Sequence, residues 1–360
     1  MEIGIIGLPK SGKTTLFNTL TRGKAETRAF GAKAAEPNVG IVRVPDERLE
    51  GLQSLLRPKR LVAAEVKYVD VAVSSDKKGG WSGPARSHLT TTDAIIDVAR
   101  AFTGEAVPSS GGVDPCRDIG AIDAELVLAD LAIVERRLER IGESLKGARS
   151  PERENLVKEQ DLVERIRASL ENGVPVRQQG LSADESRLAE GYQFLSNKPL
   201  LIVLNIGENQ LSQASAMEER AKRRYPQFNV SAICGKLEME LAQLSEPEAG
   251  EFRLSMGIGE GAMQRIVRLS YELLGMISFF SIASGEVRAW AVKRGTPAPK
   301  AAGKIHSDME RGFIRAEVVG YGDLMRCGSL AEAKKHGLLR LEGKNYLVQD
   351  GDVVTFLFSV

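Results

Sequence analysis

The chain has 360 residues, 42% of them hydrophobic, and 49 Lys and Arg stand against 48 Asp and Glu for a formal net charge of +1. That apolar supply suffices for two or three packed domains and excludes wholesale disorder, while near-neutrality confines any nucleic-acid surface to a local patch. Three scattered cysteines (Cys116, Cys234, Cys327) form no CxxC pair, which argues against a disulfide scaffold or a zinc site and suits a reducing compartment. No run of about 18 apolar residues is present to span a membrane, and the opening MEIGIIGLPK lacks the pattern of a signal peptide. These features lead to the expectation of a soluble, cytoplasmic protein.

Residues 1–6 read as a buried strand that Gly7 ends. Gly7-Leu8-Pro9-Lys10-Ser11-Gly12-Lys13-Thr14 then matches GxxxxGK[ST] at every fixed position, and a helix is expected from near Gly12 through LFNTL. The glycines let the backbone wrap closely, so that successive N–H groups and the helix N-terminus face phosphate oxygens. Lys13 reaches the β- and γ-phosphates, and the Thr14 hydroxyl ligates Mg²⁺. The nucleotide loop runs from Gly7 to Thr15 and includes Pro9, Lys10 and Ser11. Extended runs follow at 39–44 and 62–73, and a third at 94–102 fits strand or helix by pattern alone.

Residues 121–195 break the β/α rhythm. Leu131, Val134, Leu138, Ile141 and Leu145 form one helical seam, and Leu156, Val163, Ile166 and Leu170 a second. Ser150-Pro151 is read as an N-cap with proline at the first helical position, and Ser182 to Glu185 as a capping box. The outcome is an antiparallel coiled-coil hairpin inserted in the α/β domain, its charges either a solvated flank or a partner-docking arm. Strands at 200–204 and 228–233 complete a mainly parallel sheet. After the first of them comes Asn205-Ile206-Gly207-Glu208, where a guanine-specific site has Asn-Lys-x-Asp. Ile206 replaces the lysine, and Glu208 is one methylene longer than the aspartate. Asn205 then has three readings: it meets the base edge, braces the phosphate loop or caps the strand.

From 278 onward short β runs (278–282, 287–292, 313–319, 345–348, 353–358) alternate with turns and short helices, an α+β module. Between Glu286 and Arg315 the bases Arg288, Lys293, Arg294, Lys300, Lys304, Arg311 and Arg315 outnumber Glu286, Asp308 and Glu310, with Trp290 and Phe313 nearby. Such a patch suits a phosphate backbone, and Trp290 is either a stacking platform or core. No glutamine or histidine marks a water-positioning group, since His88, His306 and His336 lie far from the motifs; His306 is read as structural or RNA-facing.

These residues together resemble the YchF / Obg-like ATPases, translation-factor-related P-loop proteins. The carriers are GLPKSGKTTLFNTLT at the start, EPNVGIVRVPDERL at 36–49, VDPCRDIGAIDAELVLADL at 113–131, Asn205-x-x-Glu208, KLEMELAQL at 236–244 and nearly all of 278–360. The resemblance implies ATP used as well as or better than GTP, a coiled-coil arm, and a C-terminal TGS domain of β-grasp fold. It also implies association with ribosomes or RNA, and adenine contacted by the backbone around Asn205 and Ile206. The expected fold is therefore a P-loop NTPase α/β sheet (1–120 and 196–277), a helical insertion (121–195) and a TGS-like domain (278–360), in a monomer. Asp70 opens the segment that matches switch II and is expected to hold Mg²⁺ through water. Two departures touch catalysis: Ala34 stands where the family has a threonine, and Val73 where it has a glycine. They open a rival reading, a non-hydrolysing nucleotide-binding adaptor; a GTP-specific GTPase is the third. Lys10 replaces the family's usual asparagine, and its ammonium either takes the place of a potassium ion or stays a solvent-exposed loop charge.

Overall fold

The structure is a computed structural model that describes residues 1–21, 37–72, 81, 83–103, 112–256, 261–283 and 285–359. Ala34 and Val73 lie outside the described residues. The strands are β1 (Glu2–Ile6), β2 (Asn38–Arg43), β3 (Arg60–Val62), β4 (Glu65–Asp70), β5 (Ala94–Arg100), β6 (Leu200–Asn205) and β7 (Asn229–Ile233). They continue with β8 (Met276–Ala283), β9 (Glu286–Lys293), β10 (Phe313–Gly320), β11 (Arg340–Glu342) and β12 (Asp352–Phe358). The chain divides into two compact units, residues 1–40 with 67–259, and 41–66 with 260–360.

In the first unit the sheet order is β2-β4-β1-β5-β6-β7, and β4, β1, β5, β6 and β7 run parallel. Parallel strands covered on both faces carry continuous apolar runs, which is why β5 and β6 are buried at every position. The ambiguous run at 94–102 is thus a strand. Two buried polar residues interrupt it, Asp97 and Arg100, and the Asp97 carboxyl is held well above the usual carboxylate range by burial and then by the nearby Asp118 and Asp123.

The helical arm begins with a helix from Pro115 to Leu145, whose N-cap Asp114 accepts from the N–H groups of Cys116 and Arg117 at 3.1 and 3.2 Å. Its first half packs Ile119, Ile122 and Leu126 into the sheet core. Its second half packs Val134 and Ile141 against Leu162, Val163, Ile166 and Leu170 of the helix Glu152–Glu171. The helix therefore starts six residues before the expected boundary at 121. Pro115 at the first turn marks that start, since it has no N–H to leave unpaired. Pro151, not Ser150, is the N-cap residue of the second helix, and the Ser150 hydroxyl bonds the Glu154 carboxylate at 3.2 Å instead of a backbone N–H. Leu156 stands outside that seam, and Leu162 takes part in it. The Ser182–Glu185 capping box forms as expected. Buried Asp130 on the long helix accepts from the N–H groups of Leu195 and Ser196 at 2.8 and 2.7 Å, which anchors the chain as it re-enters the sheet at β6.

The second unit has the sheet order β11-β10-β12-β8-β9-β3. The run expected at 62–73 is two strands: β3 pairs parallel with β9 in this sheet, whereas β4 pairs with β1 in the other. Arg48, on the helix Glu47–Leu56, ties residues 41–66 to the rest of the unit. Its guanidinium binds Asp46 at 2.8 Å and Asp350 at 3.0 Å, and lies 5.2 Å from the Phe280 ring centroid. Gly51 allows the same helix to approach Tyr321, whose hydroxyl would lie 2.1 Å from any added Cβ. The run expected at 345–348 forms no strand; it makes a single bridge, Leu347 to Pro297, while the Tyr346 hydroxyl donates to Asp352 at 2.6 Å.

Asp97 yields a test. Its folded-state pKa is raised, so its proton is held more tightly in the native state, and native stability falls as pH climbs from about 4 toward the folded value. Asp97→Asn removes that dependence. Denaturant melts at pH 5 and pH 7.5 are expected to show the variant gaining on the parent at the higher pH; an equal gap at both would contradict it.

Candidate nucleotide site

The phosphate loop is shaped by close approaches that only glycine permits. A Cβ on Gly7 would sit 2.6 Å from both the Val98 carbonyl oxygen and Ser11 Oγ, and one on Gly12 (φ 91°) only 2.0 Å from Asn205 Nδ2. The Ser11 N–H closes the loop on the Leu8 carbonyl at 3.1 Å, and the helix Lys13–Thr21 opens with Leu16 N–H on Gly12 O at 2.9 Å. The N–H groups of the first turn have no partner within the helix and carry its positive end. Pro9 and Lys10 are exposed, Lys10 with the left-handed φ of 66°. The buried Ser11 hydroxyl has no hydrogen-bond partner among the described residues. Thr15 lies beside the Gly235 turn, where an added Cβ would meet its methyl at 3.5 Å.

Four side chains converge at the end of β4. Lys13 Nζ lies 2.8 Å from Asp70 Oδ1 and donates to the Val71 carbonyl at 2.8 Å. Thr14 Oγ1 donates to Asp70 Oδ2 at 3.3 Å, and Asn38 Nδ2 donates to the same oxygen at 3.4 Å. Asp70 is only 6% exposed, so the Lys13 ammonium is its main charge compensation. Asn38 sits inside the EPNVG motif, yet sequence reasoning assigned it no role. Its only advance signal is a short amide at the first position of β2.

At the base-side end, Asn205 braces the loop. Its Nδ2 donates to Ser11 O at 2.9 Å, and its Oδ1 accepts from Gly235 N–H at 3.1 Å. The Ile206 side chain is buried in the core, its N–H donates to Ile233 O at 2.8 Å, and Asn205 O accepts from Ala101 N–H at 2.8 Å. These three backbone and side-chain elements are engaged in the sheet. Glu208 lies at the surface in an ion pair with Lys236 at 2.8 Å, a neighbour the sequence motif did not reveal. Gln210 orders the turn between them, accepting from Gly207 N–H at 2.7 Å and donating to Ala101 O at 3.1 Å.

The donor set fits Mg²⁺. A threonine hydroxyl and a carboxylate meet at 3.3 Å, both hard oxygens, beside a helix N-terminus that attracts phosphate. Among the described residues no three or more His, Cys, Asp or Glu side chains form a metal cage. Such a sparse protein donor set is what Mg²⁺ uses when substrate phosphates and water supply the remaining ligands.

The C-terminal patch is partly neutralised within itself. Arg288 bonds Glu286 at 2.9 Å, Lys300 bonds Glu310 at 2.5 Å, and Arg311 pairs with Asp308. Lys293, Arg294, Lys304 and Arg315 are left without an ion-pair partner among the described residues. Phe313 is buried in the core, and the half-buried Trp290 donates its indole N–H to Ser281 at 2.9 Å, so neither ring is a free platform. His306 caps a short helix, its Nδ1 accepting from Asp308 N–H at 3.2 Å. No helix among the described residues is long and apolar enough to cross a membrane.

Comparison with known proteins finds relatives that match along the whole chain. A family model described as a 50S ribosome-binding GTPase matches residues 2–206. The YchF-GTPase C-terminal model, described as a protein of unknown function, matches residues 276–359. A Bacillus subtilis protein named ribosome-binding ATPase YchF is 40% identical, with 100% of each chain covered. The chain belongs to the YchF family. YchF relatives of the same name from Pasteurella multocida and Escherichia coli O157:H7 are 38% and 36% identical, over 100% of this chain and 99% of theirs. The solved structure of the Schizosaccharomyces pombe YchF GTPase superposes with a TM-score of 0.87 at 28% identity, covering 99% of this chain and 97% of that one.

The Lys13–Asp70 pair predicts a specific metal dependence. Asp70→Asn removes the carboxylate that pairs with Lys13 and with it an oxygen donor that Mg²⁺ could use through water. Binding of a non-hydrolysable ATP analogue in EDTA is expected to tighten about fivefold, the equivalent of ~1 kcal/mol, while the gain on adding Mg²⁺ shrinks. Fluorescence titration with and without Mg²⁺ checks this; an unchanged Mg²⁺ dependence would contradict it.

Proposed function

We propose that the chain is a P-loop ATPase that associates with ribosomes and uses its nucleotide state to control that contact. The observation that carries this reading is the convergence of Lys13, Thr14 and Asp70 at the mouth of a glycine-dependent phosphate loop. Phosphates lie along the N–H groups of residues 7–15. Lys13 exchanges Asp70 for the β- and γ-phosphates, and Thr14, with Asp70 acting through water, would hold Mg²⁺, which would supply charge neutralisation at those oxygens. Asn38 keeps the Asp70 carboxylate turned toward Thr14. Asn205 fixes the loop against the Gly235 turn, and the Glu208–Lys236 pair borders the base.

ATP is the preferred nucleotide and GTP the second, because Ile206 and Glu208 replace the guanine-reading lysine and aspartate. Hydrolysis is slow, since Ala34 offers no hydroxyl to the metal and Val73 adds a branched side chain where the backbone must approach the γ-phosphate. These two residues also favour the second reading, a non-hydrolysing adaptor. The protein acts in the cytoplasm as a monomer. Its domains are the nucleotide-binding domain (1–120 and 196–277), the arm (121–195) and a TGS-like domain (278–360), which contacts RNA through Lys293, Arg294, Lys304 and Arg315.

Single-turnover hydrolysis of ATP and GTP, with binding measured in parallel, tests the reading. ATP turnover that Lys13→Ala abolishes is expected. Tight binding without turnover would establish the adaptor, and a strong GTP preference would overturn the assignment of Asn205 to Glu208.

A further inference from the structure

The segment that follows β6 commits its polar groups unequally. Asn205 has both ends of its amide engaged, on Ser11 O at 2.9 Å and on Gly235 N–H at 3.1 Å, and the Ile206 N–H is spent on Ile233 O at 2.8 Å. The Gln210 side chain holds the Gly207 N–H at 2.7 Å and donates in turn to Ala101 O at 3.1 Å. These bonds fix the backbone on which Glu208 is mounted. Of the two polar side chains in Asn205-Ile206-Gly207-Glu208, Asn205 is buried and only the Glu208 carboxylate reaches the surface, placed to accept from a base edge.

That carboxylate is already engaged. Lys236, the residue after Gly235, donates from Nζ to Glu208 Oε1 at 2.8 Å, and its other acidic neighbour, Glu240, is 3.9 Å away. The Lys236 ammonium is held above the usual lysine pKa, first by this hydrogen bond and then by the Glu208 charge. The two residues lie on different segments, kept side by side by the bonds from Asn205 to Gly235 and from Ile206 to Ile233. Both side chains are exposed, so the pair contributes little to the stability of the fold. Its consequence is chemical: the ammonium competes for an oxygen that a base would otherwise use.

We infer that Lys236 sets the base preference of the site by holding Glu208 away from guanine, a step that rests on the nucleotide-binding reading above. Guanine presents two donors, N1–H and N2–H, that call for a carboxylate with both oxygens free. Where Lys236 holds one oxygen, a guanine donor is left unpaired, which carries the penalty of any desolvated and unsatisfied polar group. Adenine has an acceptor at N1 and no amino group at C2, so it makes no such demand and loses nothing to the lysine. Lys236 thus discriminates by competing for the carboxylate, without a contact of its own to adenine. The preference then depends on a residue outside Asn-x-x-Glu, on the segment after β7.

The test measures the affinities of hydrolysis-resistant ATP, GTP and ITP analogues for the full-length chain in the presence of Mg²⁺. ITP keeps the N1–H of guanine and lacks its 2-amino group. The parent is compared with Lys236→Met, Lys236→Arg and Lys236→Met/Glu208→Gln, each first shown to melt like the parent. In Lys236→Met the GTP affinity is expected to rise about fivefold relative to ATP, the scale of an exposed ion pair, and the ITP affinity to rise less. Lys236→Arg, which keeps the pair, holds the parent ratio, and the double variant returns to it. An unchanged ATP-to-GTP ratio in Lys236→Met overturns the proposal. So does a GTP gain that survives in the double variant or that ITP shares in full. Lys13→Ala is measured alongside. Nucleotide binding that it leaves intact would defeat the phosphate-loop reading, whereas binding lost in Lys13→Ala beside an unmoved ratio in Lys236→Met would defeat the role of Lys236 alone.

Discussion

One amide holds the nucleotide site together. Asn205 stands at the last position of β6, buried, with its Nδ2 on Ser11 O and its Oδ1 on Gly235 N–H. Those two bonds join the phosphate loop, the end of the central sheet and the turn after β7 into one rigid frame. Gly12 has to be glycine because this amide occupies the space a Cβ would need. Both polar ends of a buried side chain are satisfied, so removing it strands a carbonyl and an N–H in a dry place, at a cost of about 1–3 kcal/mol for each. The sheet supplies the anchor: β5, β6 and β7 are parallel and mostly buried, and the Ile206 side chain extends the core directly behind the amide.

On the other side of the loop the controlling constraint is electrostatic. Asp70 is nearly inaccessible, and a buried carboxylate needs a compensating charge. Lys13 provides it, with Thr14 and Asn38 donating to the second oxygen. The same carboxylate and hydroxyl have the hard-oxygen chemistry that Mg²⁺ takes, so under the proposed function Asp70 would serve two cations in turn. Such an exchange would link metal and phosphate affinity by thermodynamic reciprocity.

Much of this was legible in the sequence, for identifiable reasons. The phosphate loop, β1, β6 and β7 announce themselves through apolar runs cut by Gly7, Pro199 and Asn205, and the capping box at Ser182 is a purely local signal. The arm hairpin follows from heptad-like spacing. Where the reading missed, a non-local partner decided the outcome. Ala63-Ala64 keeps the apolar run continuous, so nothing local marks the point where β3 leaves for β9 and β4 for β1. Asn345 to Val348 has strand-like composition, but Tyr346 is drawn to Asp352 and the ladder never forms. Asn38 and Lys236 gained roles only because folding placed them beside Asp70 and Glu208. In the C-terminal patch, counting charges overlooked that Arg288, Lys300 and Arg311 already have acidic partners.

The account makes Asn205 the brace of the phosphate loop rather than a reader of the base, and the ATP and GTP affinities of Asn205→Ala test that most directly. A brace predicts that both weaken together, by about tenfold or more for the loss of ~1.4 kcal/mol, with the ATP-to-GTP ratio preserved. A changed ratio with the affinity for inorganic triphosphate intact would contradict it and return Asn205 to the base edge.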